Sequence, residues 1–427
     1  MNYNHKKVEK EINKHWNNID LLSKLKRKNK GGKPYILLEG PPYANAELHV
    51  GHLRNIFFKD LSIRYEFMKG KDVLFTAGFD THGLPIEHQV EKKLNIKNKK
   101  DIFKYGIKKF SNECKKLATK SISENMKIYD KYGTWFATDK DPYLTYSNDY
   151  LESSWWAFKQ IWNKGMVYKG RKPVHWCPRC STACAGYEVT DSYQNLTDPA
   201  VYVKFKIKDS DESVLVYTTT PWTLPSNVAL AVKGDADYVT ISVNNEKIIL
   251  AESRLELMDK FKVKYKILSK YKGKKLEGLE YLPLFDTKTQ KRLDGFKQAR
   301  KIYLSQPMLK ERLSPKAAEK LGLKSGEVYE DFVSVDSGTG ILHTAPGHGK
   351  SDNIFGNLNN LPEISPIDES GNFTSEVEEY SGMFYKDADN KIIEYLKRTN
   401  SLMYNEKINH SVAVCWRCKT PLVYMLS

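Results

Sequence analysis

Tyr35-Ile36-Leu37-Leu38, then Pro41-Pro42-Tyr43-Ala44-Asn45-Ala46-Glu47-Leu48-His49-Val50-Gly51-His52, is the stretch whose reading decides the fold. The apolar tetrapeptide predicts a buried strand. Beyond the loop, apolar residues at Leu53, Ile56, Phe57, Leu61, Tyr65 and Met68 follow helical spacing. His49 and His52 therefore stand three apart where a loop becomes a helix, and both side chains can face one site. The first N–H groups of that helix lack intrahelical partners, and the macrodipole favours an anion there. Two imidazoles in this position suit the phosphates of a nucleotide. Gly51 between them leaves room for a flat base against the backbone. By itself, His-x-Gly-His equally suits a metal pair or an exposed helix start.

A second motif follows about thirty residues on: Gly78-Phe79-Asp80-Thr81-His82-Gly83-Leu84-Pro85-Ile86-Glu87. Asp80 is either a side chain reaching across a pocket from the loop after the second strand, or a cap for the helix beginning near Gly83. Around these motifs the 427 residues leave room for two or three domains, and a hydrophobic content of 40% supports ordinary globular cores. The net charge of +16 suits a polyanionic partner. Its lysines are scattered, as in Lys97-Asn98-Lys99-Lys100, so part of that charge is a general bias. The amino terminus has no apolar signal core, and no run of 18 apolar residues occurs, so no membrane role and a cytoplasmic location are expected.

Four of the six cysteines form two pairs, Cys177-Pro178-Arg179-Cys180 and Cys415-Trp416-Arg417-Cys418. Each pair can supply two of the four tetrahedral ligands that structural zinc requires. The long gap between the pairs makes sense if the chain leaves and re-enters one point with a domain looped out between. A redox Cys-x-x-Cys is the alternative, without thioredoxin-like surroundings. Cys114 and Cys184 are expected to be buried packing residues.

An opening helix is expected from Lys7 to Leu25, with Val8, Ile12, Trp16 and Leu21 apolar. Another, over Asp149–Met166, carries Leu151, Trp155, Phe158 and Ile161 and is expected to pack on the first sheet. Between the cysteine pairs lie short β-like segments, such as 200–205 and 213–217, with a turn at Lys233-Gly234-Asp235. Two further motifs lie there. Thr218-Thr219-Thr220-Pro221-Trp222-Thr223-Leu224-Pro225-Ser226-Asn227 ends a strand in a cluster of hydroxyls. Gly338 to Asp352 reads Gly-Thr-Gly-Ile-Leu-His-Thr-Ala-Pro-Gly-His-Gly-Lys-Ser-Asp, a glycine-moulded loop with His343, His348 and Asp352. These residues suit a hydrolytic site or a well-capped turn with incidental histidines. No Gly-x-Ser-x-Gly elbow is present to support a covalent serine mechanism.

Taken together, the segments 41–52 and 78–87 resemble the first half of the class I aminoacyl-tRNA synthetase catalytic domain, and their wording is similar to the isoleucyl branch. Valyl enzymes carry Asp-His-Ala-Gly where this chain has Asp80-Thr81-His82-Gly83, and leucyl enzymes usually put Phe before Gly-Leu-Pro. Phe79 departs from the usual Trp. The cysteine pairs also resemble those that often begin and end the family's inserted domain. The two motifs within it look like the threonine-rich peptide and Gly-His-Gly-x-x-Asp loop of the editing domain in isoleucyl, valyl and leucyl enzymes.

The resemblance implies an α/β fold: the first half of a Rossmann-like nucleotide-binding domain with a large, mainly-β editing insertion. Its parts would be an opening helix and half-domain at 1–176, the insertion on a zinc base at 177–418, and the start of the return at 419–427. It further implies ATP, with Mg2+, at Pro42, Tyr43, Ala44, His49, Gly51 and His52, the two imidazoles stabilising phosphate charge. Isoleucine would lie against Pro41 with its amino group on Asp80. Asp352 would hold the ammonium of a misattached amino acid. Thr218, Thr219, Thr220, Asn227 and His343 would line the pocket and position a water. Cys177, Cys180, Cys415 and Cys418 would bind one structural zinc. Isoleucine tRNA is the implied macromolecular partner, and the full-length enzyme is expected to be monomeric. A second site has a physical reason, because a hydrophobic pocket rejects the one-methylene-shorter valine by only ~1–3 kcal/mol, a limit for which this branch is itself the standing illustration. No Lys-Met-Ser-Lys-Ser loop occurs, so a fragment, one piece of a split enzyme or a truncated reading frame, incomplete for aminoacylation, is expected. A valyl-type fragment, a free-standing trans-editing hydrolase and a non-catalytic tRNA-binding relic are the alternatives.

Overall fold

The computed structural model describes residues 3–135, 142–312 and 327–427, with backbone alone at 310–312. The chain forms two compact units, Met1–Lys169 and Gly170–Ser427.

The first unit runs α1 (His5–Asn18), α2 (Leu21–Asn29), β1 (Pro34–Leu37), α3 (Val50–Met68), β2 (Asp72–Phe75), β3 (Gly78–Phe79), α4 (Leu84–Lys93), α5 (Lys99–Tyr105), α6 (Ile107–Tyr132), β4 (Tyr143–Leu144) and α7 (Asn148–Asn163). β1 pairs in parallel with β2, and β3 with β4, each pair joined through helical crossovers as parallel pairing requires. This is the mixed, parallel-stranded arrangement expected of half a nucleotide fold.

Several local expectations change. The single opening helix is two helices, broken at Asp20 in the left-handed region (φ 50), which aspartate tolerates better than most residues. β1 is a strand but not a buried one, since Ile36 and Leu38 are 61% and 87% exposed. Alternate residues of a strand face opposite ways, so only Tyr35 and Leu37 reach the core of Ile63, Phe67, Val73 and Phe75. On α3 the buried stripe is Ile56, Asp60, Ile63 and Phe67, whereas Phe57, Leu61, Tyr65 and Met68 lie exposed. Asp60 can be buried because Arg64 Nε (2.6 Å) and the Trp135 N–H (2.7 Å) both donate to it. α7 forms where expected but buries no residue, so its packing on the sheet is not found among the described residues. Cys114 is half-buried, not buried.

The second unit contains β5 (Pro173–Cys177), β6 (Thr182–Cys184), α8 (Gly186–Thr190), β7 (Tyr193–Lys206), β8 (Glu212–Thr218), β9 (Ala229–Val232), β10 (Asp237–Val243), β11 (Glu246–Ala251), α9 (Glu256–Lys260) and β12 (Lys266–Lys272). Then follow α10 (Lys288–Arg292), β13 (Ile302–Leu304), β14 (Pro307–Arg312), β15 (Glu327–Asp331), β16 (Ile341–Thr344), α11 (Lys350–Leu358), α12 (Tyr385–Arg398), β17 (Leu402–Ala413) and β18 (Val423–Leu426). Among the described residues nine strands form one sheet, β12-β10-β11-β8-β16-β9-β13, with β7 on β8 and β17 on β7. Its faces bury two cores. Val201, Val203, Phe205, Val214 and Val216 point into one, and Tyr202 and Leu215 into the other, the period-2 alternation of a sheet covered on both sides.

Strand direction positions the site. β16 lies parallel to β8 (Leu342 opposite Tyr217) and antiparallel to β9 (His343 opposite Leu230). The carboxyl ends of β8 and β16 therefore open on the same edge, where loops after parallel strands build sites. Below, β18, β5 and β6 form a small sheet at the two cysteine pairs.

Candidate functional site

In the first unit His49 is the N-cap of α3, and the two histidines cap the helix reciprocally. The Gly51 N–H donates to His49 Nδ1 (3.1 Å) and the His49 N–H to His52 Nδ1 (3.3 Å). Both Nδ1 atoms act as acceptors, so in each neutral ring the proton is on Nε2, which the cap does not use. Burial, then the neighbouring His49, lowers the His52 pKa, which favours the neutral form. Gly51 has a nearer reason than room for a base: a Cβ there would meet His49 Cε1 at 2.9 Å.

Asp80 joins this loop through the backbone. Its N–H donates to the Pro42 carbonyl (2.9 Å), and the Ala44 N–H donates to its own carbonyl (2.8 Å), as a bridge between Tyr43 and Asp80. Pro41, next along, is half-buried. Asp80 is not a helix cap, since α4 starts on Gly83 without a side-chain cap. Its carboxylate accepts instead from Thr145 Oγ1 (3.2 Å), which also contacts His82 Nδ1 (3.1 Å). Two supporting residues escaped the sequence reading, because nothing local marks them. Thr145 is one. Asn125, fully buried on α6, is the other: it accepts from the Leu48 N–H (3.1 Å) and donates to the Ala46 carbonyl (3.1 Å), fixing the turn before His49.

In the second unit, the peptide leaving β8 and residue 343 of β16 meet in a buried chain of hydrogen bonds. The Thr223 hydroxyl donates to the Thr220 carbonyl (2.8 Å), so His343 Nε2, at 3.0 Å, must be the donor to Thr223 Oγ1. His343 Nδ1 then accepts from Asn227 Nδ2 (2.7 Å), and that nitrogen also donates to the Ala229 carbonyl (3.1 Å), which fixes the amide's orientation. Tyr281 donates to Asn227 Oδ1 (2.6 Å). The Thr218 and Thr220 hydroxyls lie 3.1 Å apart, and Thr220 reaches Thr223 at 3.3 Å. Thr219 is half-buried beside them. Burial, reinforced by His348 nearby, pushes the His343 pKa down to about 3. Thr223 and Tyr281 complete this arrangement. Thr223 was visible within the quoted motif; Tyr281 had no signal.

Asp352 stands in the first turn of α11 and accepts the Ala345 N–H at 3.0 Å. The loop folds tightly enough that a Cβ on Gly347 would meet the Ile364 carbonyl oxygen at 2.0 Å, and one on Gly349 would meet Asp352 Oδ2 at 2.1 Å. Asp352 keeps partial solvent access, yet its close packing pushes the carboxyl up to about 6. His348 Nδ1 donates to the Tyr424 carbonyl (3.1 Å), and burial lowers this ring to about 4. The ensemble offers a carboxylate for an ammonium group and oriented hydroxyls for a polar ester and water, with both nitrogens of the His343 ring spent on holding Thr223 and Asn227 in place.

The cysteine pairs converge. The sulfurs of Cys177, Cys180, Cys415 and Cys418 lie within 4.8 Å of one another, with Cys177–Cys418 at 3.5 Å and Cys180–Cys418 at 3.6 Å. Four sulfurs about 2.3 Å from one tetrahedral zinc would stand about 3.8 Å apart, so the set fits. Each pair ends in a left-handed residue, Ser181 (φ 47) and Lys419 (φ 61), giving two similar knuckles. Hydrogen bonds shared among the four thiols lower the pKa of Cys415 and Cys418 and raise that of Cys177 and Cys180. Cys184 is buried against the same cluster.

The family model for class I tRNA synthetases (I, L, M and V) matches residues 11–398. The chain is 42% identical to the isoleucine–tRNA ligase of Clostridium kluyveri over 98% of its length, covering 37% of that protein. It is 38% identical to that of Methanocaldococcus jannaschii (99% of this chain, 39% of that one) and 36% to that of Pyrococcus abyssi (99% and 38%). It thus spans well under half the length of these curated relatives. A match that runs from α1 to the last turn of α12 takes in both the histidine-capped loop and the buried threonine peptide, and by it the chain belongs to the class I tRNA synthetases of the I, L, M and V group.

Proposed function

We propose that the chain is the amino-terminal part of an isoleucyl-tRNA synthetase, which activates isoleucine with ATP, transfers it to isoleucine tRNA and hydrolyses misattached valine. In the synthetic site ATP binds, with Mg2+, over Pro42, Tyr43, Ala44, His49, Gly51 and His52. The isoleucine carboxylate attacks the α-phosphate and pyrophosphate leaves. The Nε2–H groups of His49 and His52 donate to phosphate oxygens, where negative charge builds. Asp80, oriented by Thr145, takes the amino group, and Pro41 shapes the side-chain pocket. Zinc on Cys177, Cys180, Cys415 and Cys418 is structural, tying the two ends of the insertion together. Bound there, it supplies cross-linking and no chemistry.

In the editing site Asp352 grips the ammonium of valine esterified to tRNA. Thr218, Thr219 and Thr220 line the pocket and orient the water. Asn227 and His343 hold that wall, with His343 as a neutral donor. The observation that supports this most is the opening of β8 and β16 on one edge, which brings the threonine peptide, His343 and the Asp352 loop together. Hydrolysis of valine from mischarged isoleucine tRNA by this chain tests it. Asp352→Ala is expected to slow that reaction on the order of 100-fold, for loss of a charge-assisted contact. An unchanged rate overturns the assignment.

A further inference from the structure

The turn that carries Thr223 and Asn227 to His343 is the 3-10 segment Pro221–Ser226, every residue of which is buried. Its first backbone donors have no intrahelical partner. Pro221 has none to satisfy, but Trp222 does. The residue before it, Thr220, provides no side-chain cap, its hydroxyl being turned to Thr218 and Thr223. The acceptor comes from far along the chain: Asp389 Oδ1, on α12, takes the Trp222 N–H at 2.9 Å. The indole is pinned as well. Its ring meets Tyr385 of α12 and His348 of the Asp352 loop, each edge-on with centroids 4.9 Å away. Trp222 is therefore the joint between the threonine peptide, the Asp352 loop and α12.

We propose that Asp389 is a positioning residue for the deacylation pocket, capping the buried turn from outside so that Thr223 and Asn227 meet His343 in register. The role assigned to the pocket rests on the editing reading; the cap itself does not. Asp389 is buried and acts through Trp222. The charged groups facing it are Lys386 on its own helix and Asp198 on β7, and Asp198 is itself bound by Lys386 Nζ (2.7 Å) and by His410 Nε2 of β17 (3.0 Å). Burial pushes the Asp389 carboxyl up to about 7, with the Trp222 N–H and Lys386 opposing and Asp198 adding. The bond to Trp222 therefore passes from neutral to charge-assisted near neutral pH.

The 427-residue chain labelled with [15N]tryptophan gives few backbone amide signals, and a Trp222→Phe variant identifies the one required. The Trp222 amide is expected to titrate between pH 5 and 9 in the native protein and to stop doing so in Asp389→Asn. In deacylation of valyl isoleucine tRNA, Asp389→Ala is expected to lose about tenfold in kcat with KM little changed. Asp389→Asn, which keeps an acceptor, is expected to restore most of that rate. A Trp222 amide with the same chemical shift in Asp389→Ala as in the native chain, or equal kcat for Asp389→Ala and the native chain, overturns the proposal. Should the native chain deacylate nothing, the editing reading fails while the amide shift in Asp389→Ala still decides whether Asp389 caps the turn.

Discussion

His343 is surrounded by groups that leave it one protonation pattern. Thr223 must receive a proton, Asn227 must give one, and the Ala229 carbonyl prevents the amide from turning round. A ring so placed cannot take a proton from water without breaking the chain. Long-range 15N spectra are expected to show His343 neutral, protonated at Nε2, from pH 5 to 9, as a group lowered to about 3 must be. An Nδ1–H form or an imidazolium in that range would contradict it. Asp389 carries the opposite kind of perturbation. Its folded value, about 7, lies above the ordinary 3.8, so the folded state binds the proton more tightly. That contribution is fully present below pH 3.8 and is lost as pH rises to 7, at most about 4 kcal/mol in all. Asp389→Asn removes the buried charge while keeping the acceptor. Its thermal midpoint is expected to exceed that of the native chain at pH 8, the gap closing towards pH 4. A gap that grows on acidification would show the sign to be wrong.

At the level of elements, the amino end of α3 depends on close fit more than on helix propensity. Each histidine satisfies an orphan N–H of the other's segment, and Gly51 makes room for the His49 ring. In Gly51→Ala the new methyl displaces that ring. The loss of one cap is expected to cost about 1 kcal/mol, read as a lower unfolding midpoint, although Ala is the better helix former. A rise would mean that propensity wins. The same helix shows where periodicity misleads. Its apolar residues cover more than one face, and spacing cannot say which face a neighbour will cover. Ile63 and Phe67 are chosen by β2, and Asp60 is admitted by Arg64 and the Trp135 N–H.

Across the whole molecule, the two cysteine pairs close the second unit at its base, where β18 returns to β5. A metal holding both knuckles ties the ends of a long loop whose interior has its own cores. Cys415→Ser is expected to abolish stoichiometric zinc by elemental analysis and to make the segments near 177 and 415 exchange amide hydrogens faster. The nine-stranded sheet should keep its protection. Loss of protection throughout the sheet would mean that the metal, not the core, specifies the fold.

The sequence by itself determined the parts that are local: the loop-to-helix step at His49, the two knuckles, and the strands at 200–205 and 213–217. Turn chemistry and period-2 or helical patterns are written in neighbouring residues, so they can be read in order. The break at Asp20 and the exposure of Ile36, Leu38 and the α7 tryptophans were not legible, because burial depends on what lies opposite and not on the residue's own polarity. Motif residues such as Asp80, His343 and Asp352 could be picked out, but the perturbed states of His343 and Asp352 could not. Thr145, Asn125, Tyr281 and Asp389 sit far along the chain from the groups they bind, with no motif around them to mark the contact. Only the tertiary structure brings them in, because a buried donor or acceptor takes its partner from wherever the packed chain offers one.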